Sequence, residues 1–324
     1  MKAQAAVPMA NWCKQHGYLR SGAWHGTKWL VCLASLAALA VLLPTAAPGH
    51  EDGDKQVLVV SNDPEICPDA QFATIQDAVN AASPGDKILV CPGIYQEMVT
   101  ISGESKNNLR IRARGEAGSV VLDGMDHTLM AGFFLQDVSG VIIEGFNAQG
   151  FHEADILLEG ADNNVVRGNA LTDAGHDGIE LSNSSGNIIE HNRSFDNPAS
   201  NACGINIAGS GSRGNLVRHN LLRNNNWGIQ VVGGAIGNVL FENESVANRD
   251  RGIRTVGATG TVINRNRTEE NPIGIAVVSS TGVKVERNRS FGNTDFDLFW
   301  DGTGLVSFTN NHCDTSSPNG LCVP

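Results

Sequence analysis

An all-β architecture, a right-handed parallel β-helix with an N-terminal capping helix, follows from three features of this 324-residue chain. The first is a repeat of nearly constant length. A Gly followed by two apolar positions around one variable residue recurs as Gly178-Ile179-Glu180-Leu181, Gly204-Ile205-Asn206-Ile207, Gly228-Ile229-Gln230-Val231, Gly252-Ile253-Arg254-Thr255 and Gly274-Ile275-Ala276-Val277. With weaker copies at Asp155-Ile156 and Asp297-Leu298, the starts lie 23, 26, 24, 24, 22 and 23 residues apart. Alternation over so few residues is the period of a short strand. A unit this small cannot bury its apolar side alone, so its copies must stack.

The second feature is an asparagine pattern that follows each strand. Its middle member is read at Asn169, Asn192, Asn220, Asn243, Asn266, Asn288 and Asn310, with Asn164, Asn187, Asn215 and Asn238 five residues earlier. Five residues later stand Asn197, Asn225, Asn248, Asn271 and Asn293. Asn tolerates left-handed corners, and its amide both donates and accepts, so stacked copies can form ladders. Between them, Val166, Ile189, Val217, Leu240, Ile263 and Val285 fill interior positions. The sequons at Asn192, Asn243, Asn266 and Asn288 arise from this repetition and read as fold chemistry. The third feature is composition: 6% aromatic residues and 37 glycines suit a narrow interior. A propeller needs blades of roughly 40 residues, and helical solenoids need helical spacing.

The elements follow in chain order. Residues 1–49 read as a secretory signal peptide: Lys2, Lys14, Arg20 and Lys28 precede an apolar run from Trp29 to Leu43 and a small-residue exit. The expected location is therefore secreted or periplasmic, with no membrane span after cleavage. Removing four basic side chains leaves 19 Lys+Arg against 34 Asp+Glu, a balance of −15 that argues against a nucleic-acid partner. Residues 50–131 form the cap and first coils. There, apolar residues at 72, 75, 78, 79 and 82 predict a helix from Phe72 to Ala82, ended by Ser83-Pro84-Gly85-Asp86. A strand at Lys87–Val90 and a turn at Pro92–Tyr95 follow. The repeats occupy 132–312, and 313–324 form a C-terminal cap loop. Export makes oxidation plausible, and Cys67–Cys91 and Cys313–Cys322 would staple the two ends. Cys203 is left as a buried thiol. No Cys or His spacing argues for a structural metal.

The segment Phe72–Ile101, reading FATIQDAVNAASPGDKILVCPGIYQEMVTI, followed by Val120-Val121-Leu122-Asp123-Gly124, resembles the opening of pectin-lyase-like β-helix proteins. The Asn-rich coils resemble β-helix repeats of carbohydrate-binding proteins, sugar hydrolases and NosD-type periplasmic proteins. That resemblance implies an exported protein that handles polysaccharide: a lyase, hydrolase or epimerase, with Ca²⁺ as an option for a lyase, or a non-catalytic binding or accessory protein. Gly93-Ile94-Tyr95-Gln96-Glu97 matches a pectin methylesterase element, but that family's later catalytic motifs are absent. His176-Asp177-Gly178 and Asp173-Ala174-Gly175-His176-Asp177 only approximate the polygalacturonase and alginate epimerase motifs.

Aligning the coils gives an outward row Leu157, Glu180, Asn206, Gln230, Arg254, Ala276, because the middle residue of each strand points away from the core. Beside it run Asp177, Cys203, Trp227 and Arg251, and then Glu153, His176, Asn226 and Asp250. Coils about 4.8 Å apart place Asp177 and Arg251 roughly 14 Å apart, room for a few sugars. Asp177 or Glu180 would act as general acid, with His176, Arg251 or Arg254 abstracting a proton. Trp227, Gln230 and Asn206 would bind substrate, and the arginines would pair with uronate carboxylates. The plainer reading is a solvated polar face. His152, Glu153 and Asp155 would extend the groove. His191 and His219, in register with Glu190 and Glu242 nearby, read as surface decoration more than as metal ligands. The protein is expected to be a monomer.

Overall fold

The computed structural model describes residues 55–323. The predicted signal peptide and the cysteines within it lie outside the described residues.

Each coil contributes three strands to three parallel sheets. In a typical coil, the six-residue strand Ala154–Glu159 turns into Val165–Arg167, then Ala170–Thr172, and the next coil opens with Asp177–Ser182. The first sheet has 11 strands, from Val57–Val60 to Val306–Thr309, and the other two have 10 each. We call the sheet containing Asp177–Ser182 the long-strand sheet, and the one containing Ala170–Thr172 the third sheet. Every pairing is in register by sequence repeat: Glu180 lies beside Leu157 and Asn206, and Gln230 beside Arg254. Parallel crossovers of this kind wind right-handed.

The stack closes around one column of apolar side chains. Ile156, Ile179, Ile205, Ile229, Ile253 and Ile275, with Val166, Ile189, Val217, Leu240, Ile263 and Val285 opposite, are all fully buried. The glycine that opens each long strand is required by close approach. A Cβ on Gly228 would lie 1.9 Å from Ser245 Oγ and 2.4 Å from the Gly252 carbonyl. Asp155 and Asp297 occupy that same register. Asp297 is absorbed by the amides of Asp314 and Thr315 at 2.9 and 3.0 Å. Asp155 has no hydrogen-bond partner for either carboxyl oxygen.

Three asparagine ladders hold the corners. In the middle one, the Asn192 backbone N–H and Nδ2 both donate to Asn220 Oδ1, at 2.9 and 3.1 Å, while Asn192 Nδ2 also reaches the Val166 carbonyl at 2.9 Å. The pattern repeats through Asn243, Asn266 and Asn288 and ends at Asn311, which accepts from Asn288 N at 3.1 Å. The expected terminal member, Asn310, is displaced by one. It adopts a positive φ of 55° and faces solvent, like the residue before each ladder asparagine.

The capping helix spans Ile75–Ala81, shorter than the sequence pattern suggested. Thr74 caps it by accepting from Asp77 N, and the Glu97 carboxylate accepts from Ile75 N and Gln76 N at 2.9 Å each. Phe72 instead bridges to Val60. Gly93–Tyr95, expected as a turn, is the first strand of the third sheet, so the corner falls at Cys91-Pro92. Both predicted disulfides are present, and Cys203 is a buried free thiol.

Candidate functional site

The candidate site is built on the outer side of four long strands. In Asp177–Ser182, Ile179 and Leu181 enter the core, and alternation turns Glu180 outward. Half-buried among Asp177, Glu153 and Glu159, Glu180 is pushed up to about 7, with burial the largest cause and His176 acting in the opposite sense. A carboxyl so placed is part-protonated at neutral pH.

Beneath it lies Asp177, 0% exposed. Its carboxylate accepts from Cys203 N at 2.7 Å and from Asn206 Nδ2 at 3.0 Å, and it pairs with His176 Nδ1 at 2.9 Å. The last contact is a close approach without in-line hydrogen-bond geometry, and it becomes an ion pair only when His176 is protonated. Asp177 raises the His176 pKa above its ordinary value, although burial opposes this. His176 Nε2 lies 2.7 Å from Asn201 Nδ2. The chain of contacts continues as Gln230 Nε2 donates to Asn206 Oδ1 at 3.2 Å.

Asn201 belongs to an insertion. Asn197 to Cys203 takes six positions, where Asn248 to Arg251 takes three. Arg249 pins this loop from two coils away, donating to the Asn197 and Ala199 carbonyls at 2.6 and 2.9 Å. The far end of the row is a packed cluster. The Arg254 guanidinium sits 3.9 Å over the Trp227 ring, Trp227 Nε1 donates to Asp250 at 2.7 Å, and Arg251 pairs with the same carboxylate. Burial and the neighbouring Arg251 lower the Arg254 pKa. Gln230 Oε1, Arg251 Nε and Arg254 Nε are buried atoms without a partner.

The fold thus brings His176, Asp177, Glu180 and Asn206 together, and separately Trp227, Arg251 and Arg254. Several residues sit differently from the open groove the sequence suggested. Asp177 is under the surface, in contact with Cys203 N, Asn206 and His176, whereas Trp227 and Arg251 at the same register stay part-exposed. Asn206 and Gln230 are 6% and 8% exposed, nearly covered by their neighbours. The Trp227 face that would stack on a sugar carries Arg254. Asp155 points into the core and extends no groove. Asn201 and Arg249 lie outside the rows read from the sequence, and Asp250, which stands in one of them, has there no role of its own. The 26-residue spacing between Gly178 and Gly204 was the available signal for the inserted loop.

Elsewhere, His191 and His219 stack with centroids 5.0 Å apart, Glu190 pairs with Arg218, and Glu242 approaches His219 at 3.6 Å. Among the described residues no group of three or more His, Cys, Asp or Glu is arranged to hold a metal ion. No described helix is long and apolar enough to cross a membrane.

Comparison with known proteins agrees with the architecture. The right handed beta helix region family matches residues 107–239 and 235–323. A search of curated proteins finds no match. Among solved structures, the A-module of the Azotobacter vinelandii mannuronan C-5 epimerase AlgE6 superposes with a TM-score of 0.54 at 16% identity, covering 74% of this chain and 82% of that one. Pectate lyase Pel9A gives 0.53 at 16% identity over 83% and 82%, and XylC in complex with xylose gives 0.53 at 10% over 78% and 70%. At such identities the likeness is one of fold. With its family match spanning most of the described coils, three parallel sheets and asparagine-laddered corners, the chain belongs to the right-handed β-helix family.

Proposed function

We propose that this protein, exported by its N-terminal leader, binds an extended glycan across the coils of the long-strand sheet and processes it at Glu180. The observation that carries the reading is a carboxyl held up to about 7 beside a buried Asp177 and its part-exposed partner His176. Two titratable groups with separated environments supply an acid and a base. In an elimination, the His176 Nε2 would take the proton beside a uronate carboxyl. The C–O bond to the leaving sugar would break, and Glu180 would deliver its proton to the departing oxygen. Asn201 would have to yield Nε2 to the substrate. An acidic sugar about three coils further on would meet Arg254.

The epimerase and lyase structures are compatible with this reading through fold alone. A second reading, a non-catalytic glycan-binding protein, is favoured by the closed Arg254–Trp227–Asp250 cluster. The two separate in one experiment: incubation with polyuronates and neutral glycans, with and without Ca²⁺, following reducing ends and the ultraviolet absorbance of unsaturated products. Elimination gives both signals, hydrolysis gives reducing ends alone, and Glu180→Gln abolishes either. Binding without product would establish the second reading. Product formation that survives Glu180→Gln would remove Glu180 from the chemistry.

A further inference from the structure

A second concavity lies away from Glu180, where the first and third sheets meet. The position before each middle-ladder asparagine carries a side chain in later coils, at His191, His219, Glu242 and Arg265, but is Gly168 before Asn169, as is the equivalent Gly145 before Phe146. Two coils without corner side chains leave a floor, continued by Asn147 and Ala170, which pair in the third sheet. His191, Arg193 and Phe195 wall it on one side and the Gly115–Gly118 segment on the other, enclosing a cleft of about 470 Å³. A cleft of about 360 Å³ on the first sheet adjoins it, sharing Arg112 and Glu144.

The charge here runs against that of the protein. The two clefts hold Lys87, Arg110, Arg112, Arg167 and Arg193 against the carboxylates Glu116 and Glu144. Glu144 is shared by Arg167 at 2.9 Å and Arg112 at 3.9 Å. Among the described residues no carboxylate lies within ion-pair distance of Lys87, Arg110 or Arg193, all exposed, and Arg167 Nε is buried without a partner. The Arg193 guanidinium instead lies 5.9 Å from the Phe195 ring centroid. From Lys87 to Arg193 the cations span about four coil spacings, roughly 19 Å.

We propose that these joined clefts are a second, non-catalytic site that binds a short anionic segment of a polysaccharide, through carboxylate or sulfate groups. An acidic chain of balance −11 repels a long duplex polyanion, whereas a few spaced anions match the spaced cations. The one aromatic wall, Phe195, offers a flat apolar surface for a sugar ring. This site is independent of Glu180 and stands or falls separately from it.

Calorimetric titration with two probes, polygalacturonate for carboxylates and heparin for sulfates, tests the assignment. Wild-type protein should bind at least one, less tightly as salt is raised. Arg110→Glu with Arg193→Glu, both on exposed side chains, should weaken binding about tenfold at unchanged Tm, and Lys87→Glu alone about threefold. Lys284→Glu, a charge reversal at an exposed cation of the first sheet several coils away, should leave this affinity intact. Which polymer binds identifies the anion. Binding that ignores the charge reversals in the clefts, or that Lys284→Glu weakens equally, would overturn the proposal. So would silence toward both polymers, or equal competition by duplex DNA.

Discussion

The corner ladders and the outer face of the long-strand sheet are made from the same kinds of polar side chain, yet they differ in completeness. Along the middle ladder each amide finds its partners: Asn220 donates to the Ile189 carbonyl at 2.8 Å and to Asn243 Oδ1 at 3.0 Å, and it accepts from Asn192. On the sheet face, Gln230 Oε1, Arg251 Nε and Arg254 Nε lack partners, and Glu180 is held away from its ordinary pKa. Satisfied buried groups stabilise a fold, whereas unsatisfied and perturbed ones mark places where something else is to be bound. Repetition builds the first region. Departure from repetition builds the second.

The largest effect that could break this contrast is at the ladder. Asn220→Ala leaves Asn192 N and Nδ2 without their shared acceptor in a dry corner, which should cost on the order of 3–5 kcal/mol in urea or thermal unfolding. Asn310→Ala, at the exposed position beside the ladder, should change stability by less than about 0.5 kcal/mol. Equal losses would dissolve the distinction between ladder and surface.

Asp155 is the core's exception, and it should respond to pH. Burial, with Asp173 nearby, holds its carboxyl well above the ordinary 3.8. Because the folded state keeps this proton longer than the unfolded chain, its contribution is full below about 3.8 and is lost as pH rises toward the folded pKa. Asp155→Asn should therefore stabilise by about 1–3 kcal/mol at pH 7 and by little at pH 3.5. A gain independent of pH would contradict the buried-acid assignment.

Glu180→Gln should follow the same sign over a defined window. The folded carboxyl titrates at about 7 and the unfolded one near 4.5, so the variant gains relative stability between those values and keeps the gain above them. It should also remove any product formation. A smaller loss is expected of Arg254→Ala, which uncovers the Trp227 ring and should cost about 0.5–1 kcal/mol while shifting tryptophan fluorescence. A larger loss would mean that the Arg254–Trp227 pair serves the fold.

Legibility in the sequence follows the same division. The coil length, the inward isoleucines and the asparagine ladders were readable because each is stated many times, and an error in one copy, such as Asn310 for Asn311, is corrected by its neighbours. Glu180 was readable as an outward residue by alternation alone. The depth of Asp177 was not, because it goes with contacts to Cys203 N, Asn206 and His176 that Trp227 and Arg251 at the same register do not share. Nor was the partnership of Asn201 with His176, which depends on a loop that occurs once and is held by Arg249 from two coils away. The covering of Trp227 by Arg254 is likewise a matter of rotamers, which no repeat encodes. The glycines at 145 and 168 were visible, but their meaning as a cleft floor emerged only beside the filled corners at His191 and His219.

The chemistry proposed for the long-strand sheet requires Glu180 to be a perturbed acid and not one more solvated carboxylate. Carboxyl-detected NMR titration of the labelled protein, assigned by comparison with Glu180→Gln, measures this directly. The account predicts a midpoint for Glu180 near 7, as its burial among Asp177, Glu153 and Glu159 requires. A midpoint near 4.5 would make the row a solvated face and contradict the assignment of chemistry to it.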